Sequence, residues 1–298
     1  MRRHQASVLL LLDQRVNTPP TAVASSTPNP AANDTTALAL TGTASSDSDG
    51  SVNSYLWEQV SGKAGYFSTP KGGTSTFTPD PYAAAVAVDT PVLSLRFEEQ
   101  QGTFASDVGG HVGTPTGAAH GGVGRIGFCP SLDGVDDYVQ VPHHADFDIT
   151  GDLTLEAWVF LTAYNAGNNS EIVVKQNTGD SATFDWRVAP DGTVTFVDRV
   201  VGDAFRVAST AAGFLSLNTW THLAVVRTAT NVAHYKNGGT PTNVTIAAGT
   251  PKTGTAAVRL GLRNDGIYGF QGRIDSVATY ATALTAARIL AHYNATPA

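Results

Sequence analysis

Hydrolysis of a glycosidic bond with retention needs two carboxylates about 5 to 5.5 Å apart, which on one strand means acids spaced by two or four. Glu156 has Thr154 and Trp158 as its same-face neighbours, Glu98 and Glu99 are adjacent and point to opposite faces, and no Glu-x-Asp-x-x-Glu pattern occurs. An acid pair assembled from two different strands stays open. The chain has no Gly-x-Ser-x-Gly elbow, and Cys129, followed by Pro130, has no base near it in sequence. Cys129 therefore reads as a small buried hydrophobe. His111, His120 and the His143-His144 pair are expected to hold no metal, because neighbouring side chains on a strand diverge and no acid or His falls at the helical spacing of zinc proteases. The chemistry these residue types favour is non-catalytic. Asp residues in loops supply hard oxygen ligands for a cation such as calcium, and Trp, Tyr, Asn and Asp in loops stack on and hydrogen-bond to a sugar or a protein.

The whole chain bounds that chemistry further. Its 298 residues carry 18 Lys plus Arg against 25 Asp plus Glu, a net charge of -7, and cations this few and scattered build no patch for nucleic-acid phosphates. A single Cys excludes a disulfide framework and a thiolate metal cluster. No run approaches the roughly 18 consecutive apolar residues of a spanning helix, so no membrane insertion is expected. Met1-Arg2-Arg3-His4 and the apolar run after it imitate a signal peptide, but the run ends at Asp13, and Gln14-Arg15 intrude before the only small-x-small site, Ala22-Val23-Ala24. Residues 1–16 are expected to be an N-terminal anchor that packs on a partner; a short buried strand and a degenerate export signal are the alternatives.

Between residues 17 and 81, Pro-rich and Asp-Ser-Gly turns separate short alternating runs such as Tyr55-Leu56-Trp57-Glu58-Gln59-Val60, which predicts a small antiparallel sandwich. The stretch Ala44-Ser45-Ser46-Asp47-Ser48-Asp49-Gly50-Ser51-Val52-Asn53-Ser54-Tyr55-Leu56-Trp57 resembles the PKD and REJ families of immunoglobulin-like domains, in which such a turn feeds a strand whose Trp packs between sheets. The pattern departs from those families after Pro79, where an Ala-rich linker over 82–90 follows. Either the sandwich is truncated, or residues 8–12 and 86–88 supply the missing edge strands. Asp47-Ser48-Asp49-Gly50 also imitates an EF-hand start, with Glu58 at position twelve, but Glu58 falls on a strand and a turn is preferred.

From residue 91 onward the strands lengthen. Leu153, Leu155, Ala157 and Val159 share one face and Thr154, Glu156, Trp158 and Phe160 the other, so apolar groups on both faces make this strand central. Similar runs cover 193–197, 222–227, 232–236, 257–262 and 270–280. Asn237-Gly238 signals a tight hairpin whose two central residues need positive φ. One helix is credible, over 285–293, with Thr285 as N-cap and Leu284, Ile289 and Leu290 to dock on a sheet. The fold class is therefore all-β, a jelly roll with one terminal helix. Ser131-Leu132-Asp133-Gly134-Val135-Asp136-Asp137-Tyr138, Leu153-Thr154-Leu155-Glu156-Ala157-Trp158-Val159, Trp220-Thr221-His222-Leu223, Tyr235-Lys236-Asn237-Gly238 and Phe270-Gln271-Gly272-Arg273-Ile274-Asp275 follow one another in order. Together they resemble the laminin-G-like, concanavalin A-like jelly-roll family over 91–294, with Arg288 where that family's closing helix usually carries Glu.

That resemblance implies a binding and display layout: an immunoglobulin-like sandwich at 17–81, a linker at 82–90 and a jelly roll at 91–298. Asp107, Asp133, Asp136, Asp137 and Asp275 are the acids within the family motifs, and they either hold a structural calcium or cap turns through backbone amides. The ligand-contacting residues expected at the loop rim are Trp186, Arg187, Asn264, Asp265 and Tyr268, with core packing the competing role for Trp186. The function this implies is a non-catalytic structural or adhesion protein of a virion surface, a phage tail or capsid decoration, acting as a homo-oligomer that meets a glycan or a neighbouring subunit. A secreted or cell-surface bacterial glycan-binding protein is the alternative, and a glycoside hydrolase on the same sandwich is disfavoured by the missing acid pair.

Overall fold

The computed structural model describes residues 5–8, 21–27, 37–48, 51–52, 54–61, 65–68, 71–176 and 182–296. Residues 9–12 and the Asp49-Gly50 turn lie outside them. The chain divides into two compact units, with the boundary between Ala84 and Ala85.

In the first unit, strands Ser25–Thr27, Leu38–Thr41, Thr74–Pro79 and Gly65–Phe67 form an antiparallel sheet in that order, and Gln5–Val8 pairs with Trp57–Ser61. Leu38, Leu40, Trp57 and Phe77 make a small core, and the Trp57 indole donates to the Gly72 carbonyl at 2.8 Å, which satisfies its one polar atom.

The Ala-rich segment expected to be a linker or an edge strand is instead the helix Pro81–Val88. Its cause is legible afterwards. The Asp80 carboxylate accepts the Ala83 N–H at 3.0 Å, and Pro81 occupies the first helical position, where its missing N–H costs nothing. Among the described residues there are therefore two α-helices rather than one.

The second unit is a sandwich of two antiparallel eight-stranded sheets. The first sheet runs Ala119–Val123, Phe128–Asp133, Gln271–Tyr280, Leu153–Ala163, Thr221–Arg227, Asn231–Lys236 and Thr242–Thr245, with Leu93–Leu95 also paired to Gln271–Tyr280. The second runs Phe205–Ser209, Val194–Arg199, Ala182–Val188, Ser170–Gln176, Val258–Leu260, Tyr138–Val141, Val112–Thr116 and Phe104–Ala105. Leu153–Ala163 sits between two long strands, as its two apolar faces predict, and Leu155, Ala157, Val159 and Leu161 meet Trp186, Phe196, Val173 and Leu260 in one core. Cys129 is fully buried, and burial pushes its thiol far above its ordinary range.

Asn237 and Gly238 both take positive φ, 52° and 66°, and close the hairpin between Asn231–Lys236 and Thr242–Thr245. The closing helix Ala286–Ala295 is capped by Thr285, whose hydroxyl accepts the Arg288 N–H at 3.3 Å. Leu284 and Ile289 are buried as expected, whereas Leu290 is 43% exposed. His292 is buried beside them and adds a polar contact to the apolar one. Among the described residues no helix is long and apolar enough to cross a membrane.

Candidate functional site

On the second sheet Phe184, Trp186 and Val188 point into the core, so by the two-residue period Asp185 and Arg187 point outward. Trp186 is 0% exposed and lies on a strand, not a rim loop. Its expected ligand contact is corrected to core packing.

Arg187 does reach the outer face, and the loop that follows Val258–Leu260 meets it there. Arg263 binds Asp265 through two hydrogen bonds, at 3.0 and 2.6 Å, while its guanidinium lies 4.0 Å from the Tyr268 ring centre. The Arg187 guanidinium lies 5.6 Å from the same ring and pairs with Asp185. Tyr268 holds φ of 69°, uncommon for a bulky residue, and its carbonyl accepts the Glu171 N–H at 2.8 Å. The loop is thus tied to the sheet at the residue whose backbone is least relaxed. Asn264 donates from its side chain to the Gln176 carbonyl, which fixes the loop's other shoulder. Arg187, Asp265 and Tyr268 therefore come together, with Asn264 as a support.

Beside Arg187 lies a pair of acids that one-strand spacing could not reveal, since Glu171 and Asp185 come from neighbouring strands. Both are buried. Burial and the Asp185 charge push the Glu171 carboxyl well above the usual carboxylate range, and burial raises Asp185 too, against the opposing charge of Arg187. Both carboxylates are sealed from solvent, and Asp185 pairs directly with Arg187.

The five expected metal acids separate. Asp133, Asp136 and Asp137 each bring an oxygen within 4.8 Å of the others. The Asp133 N–H donates to Asp137 at 2.8 Å and the Val135 N–H to Asp133 at 2.7 Å, so turn capping is present as well. Burial raises the Asp137 carboxyl; the Asp133 N–H opposes this, and the charges of Asp133 and Asp136 add to it. Asp107 is elsewhere, paired with Arg96 at 2.7 Å. Asp275 is fully buried and accepts the Ile126 N–H at 3.0 Å, which makes it a structural acid. These two positions are corrections to the expected metal set.

The histidines need a correction too. His144 caps the short 3-10 helix Ala145–Phe147 instead of lying on a strand, and it meets His111 and Asp146.

A family model described as the concanavalin A-like lectin/glucanases superfamily, of the laminin-G type, matches residues 133–290. No curated protein matches the chain. Among solved structures, the binding domain of botulinum neurotoxin serotype G is similar at 13% identity with a TM-score of 0.57, over 68% of this chain and 50% of that one. The binding domain of Paraclostridial Mosquitocidal Protein 1 is similar at 19% identity with a TM-score of 0.56, over 69% and 52%. The binding domain of botulinum neurotoxin DC, solved in complex with rat synaptotagmin II, is similar at 12% identity with a TM-score of 0.55, over 70% and 52%. The chain spans about half the length of these structures, and at such identities the likeness is one of fold.

Proposed function

The chain belongs to the concanavalin A-like lectin/glucanases superfamily, and we propose that it is a non-catalytic recognition protein whose jelly roll takes a glycan on the outer face of the second sheet. The observation that carries this reading is the Arg187–Tyr268–Arg263 assembly. Each guanidinium is fixed against an aromatic ring and balanced by its own carboxylate, Asp185 or Asp265. Such a surface offers oriented hydrogen-bond donors with little net charge, the complement of a hydroxyl-rich ligand rather than an anionic one. The binding domains that share the fold support a recognition role.

The test is a glycan array read with the full chain, followed by titration of the best ligand with Tyr268→Ala and Arg187→Gln. Each substitution is expected to weaken binding about tenfold or more, the range of a central contact residue. Unchanged affinity in both variants would move the site off this face.

A second reading, display on a virion or cell surface as a homo-oligomer, is favoured by the edge strand Phe205–Ser209. Phe205 and Val207 are 59% and 54% exposed on its outer side, an apolar pair suited to a neighbouring subunit. The first unit fits the role of a spacer, and the buried Trp57 between short strands supports its immunoglobulin-like reading.

The Asp133–Asp136–Asp137 turn fits a calcium ion in donor type, since all three ligands are carboxylates and a calcium shell takes about 6 to 8 oxygens. Chelator is expected to lower Tm by a few degrees, and Asp136→Asn to abolish that response. Equal thermal unfolding with chelator and with added calcium would remove the ion from this turn.

A further inference from the structure

His111, His144 and Asp146 form a cluster that the recognition face does not use. His111 precedes His144 and Asp146 by 33 and 35 residues, and two local devices bring it to them. Gly109 and Gly110 both take positive φ, 68° and 66°, and swing the chain so that His111 turns back toward the fold. A Cβ on Gly109 would lie 2.7 Å from the His111 ring, so only glycine leaves that ring its place. At the other side Phe147 is fully buried and anchors the short helix Ala145–Phe147, presenting His144 from its N-cap and Asp146 from its first turn. The His111 ring packs against Phe147 with centroids 4.7 Å apart, which leaves it few alternative orientations.

One carboxylate oxygen of Asp146 lies 3.1 Å from His111 Nε2 and 3.1 Å from His144 Nδ1. The second contact is the informative one. His144 Nδ1 is the acceptor of the Asp146 backbone N–H at 3.3 Å, a long cap that a metal ion would replace by taking the same single lone pair. Two acceptor atoms therefore face each other at hydrogen-bond distance, an arrangement that a cation between them resolves. In tetrahedral zinc coordination, with bonds of about 2.0 to 2.1 Å, ligand atoms stand roughly 3.3 Å apart, close to the two nitrogen–oxygen spacings already present.

We propose that His111 Nε2, His144 Nδ1 and Asp146 Oδ2 bind a divalent transition-metal ion of the zinc type. Two imidazole nitrogens select against calcium and magnesium, which take oxygen shells, and this separates the cluster from the all-carboxylate turn at Asp133. The site has one closed and one open side. His111 is buried, whereas His144 and Asp146 are exposed, so three protein ligands leave a coordination position facing solvent. That position would be filled by water or by an oxygen of whatever docks there.

The experiment uses the full chain, stripped with chelator and dialysed, and titrated with zinc by calorimetry and with cobalt(II) by visible spectroscopy. One equivalent of zinc and cobalt ligand-field bands of four- or five-coordinate intensity are expected. His144→Ala is the main variant because its side chain is 55% exposed, and circular dichroism of the variant is expected to match that of the parent. It is expected to weaken zinc binding at least a hundredfold and abolish the cobalt bands, with Asp146→Asn weakening binding at least tenfold. Absence of zinc binding, or binding and cobalt bands that persist in His144→Ala, would overturn the assignment.

Discussion

Glu156→Ala is expected to destabilise the jelly roll by about 3–5 kcal/mol, roughly 6–20 °C in Tm, the range for removing one partner of a buried ion pair in a domain of this size. Glu156 projects from the central strand onto the outer face of the first sheet, where the closing helix covers it. The Tyr280 hydroxyl donates to it, His222 Nε2 stands 3.5 Å away, and His292 Nδ1 lies 3.0 Å from Oε2 and 3.1 Å from Oε1. The other His292 nitrogen meets Asp89 at 2.7 Å, and Asp89 also binds Arg288 at 2.8 Å. Both ring nitrogens of His292 therefore face carboxylates, which requires a doubly protonated imidazolium. Without Glu156 that buried cation keeps one counter-charge and loses its link to the sheet.

The same network sets a pH dependence. Burial pushes Glu156 up, but hydrogen bonds and charge from His222 and His292 outweigh it and leave the carboxyl lowered to about 2 from its ordinary 4.5. Its contribution is complete above 4.5 and is lost as pH falls toward 2. Burial pulls His292 down, yet Glu156 and Asp89 raise it above its ordinary 6.5. That contribution is complete below 6.5 and is lost as pH rises through the raised value. Stability from the helix latch is thus expected to peak in mildly acidic solution, and Glu156→Ala should flatten both limbs. Denaturant unfolding of the two proteins across pH checks this; parallel curves would show that the network carries no net charge coupling.

Sequence periodicity reaches the sandwich because a strand's faces are local information. Leu153 to Phe160 states its own centrality, Asn237-Gly238 its own turn, and Thr285 its own cap. What periodicity cannot reach is which side chains meet across strands. Glu171 and Asp185 are far from any one-strand acid spacing, and His111 and His144 converge only because two glycines and a buried Phe147 aim them. Trp186 illustrates the opposite loss: without the register of its strand, an aromatic beside Asp185 and Arg187 looks like part of a polar rim. The helix at Pro81–Val88 was hidden because Asp80-Pro81 serves equally as turn punctuation and as a helix start. His292 escaped notice because a lone His at a helix end reads as a solvent-facing cap.

Asp198→Ala is expected to match Glu156→Ala in magnitude through a different failure, the stranding of two buried cations at once. Asp198 lies opposite Arg206 in the hairpin of Val194–Arg199 and Phe205–Ser209, and it accepts from Arg206 Nε at 2.8 Å and from Nη2. Arg227 Nε approaches the same carboxylate at 3.4 Å. All three side chains are almost wholly buried. Arg206 is further tied to the Ala247 and Gly249 carbonyls, each at 3.3 Å, and Arg227 to the Ile149 carbonyl at 3.2 Å, so neither guanidinium can swing out to water. Burial already pulls Arg227 down to about 10 with Asp198 present, and Arg206 beside it adds repulsion. Removing the shared carboxylate leaves that repulsion opposed only by the smaller pull of Asp152, for a loss of about 3–5 kcal/mol by thermal or denaturant unfolding. Asp198→Leu combined with Arg206→Met removes one cation along with the anion and should recover more than half of the loss, because apolar side chains replace a buried pair at little net cost. Equal destabilisation in the single and double variants would mean that packing around Asp198, not its charge, holds this corner of the sandwich together.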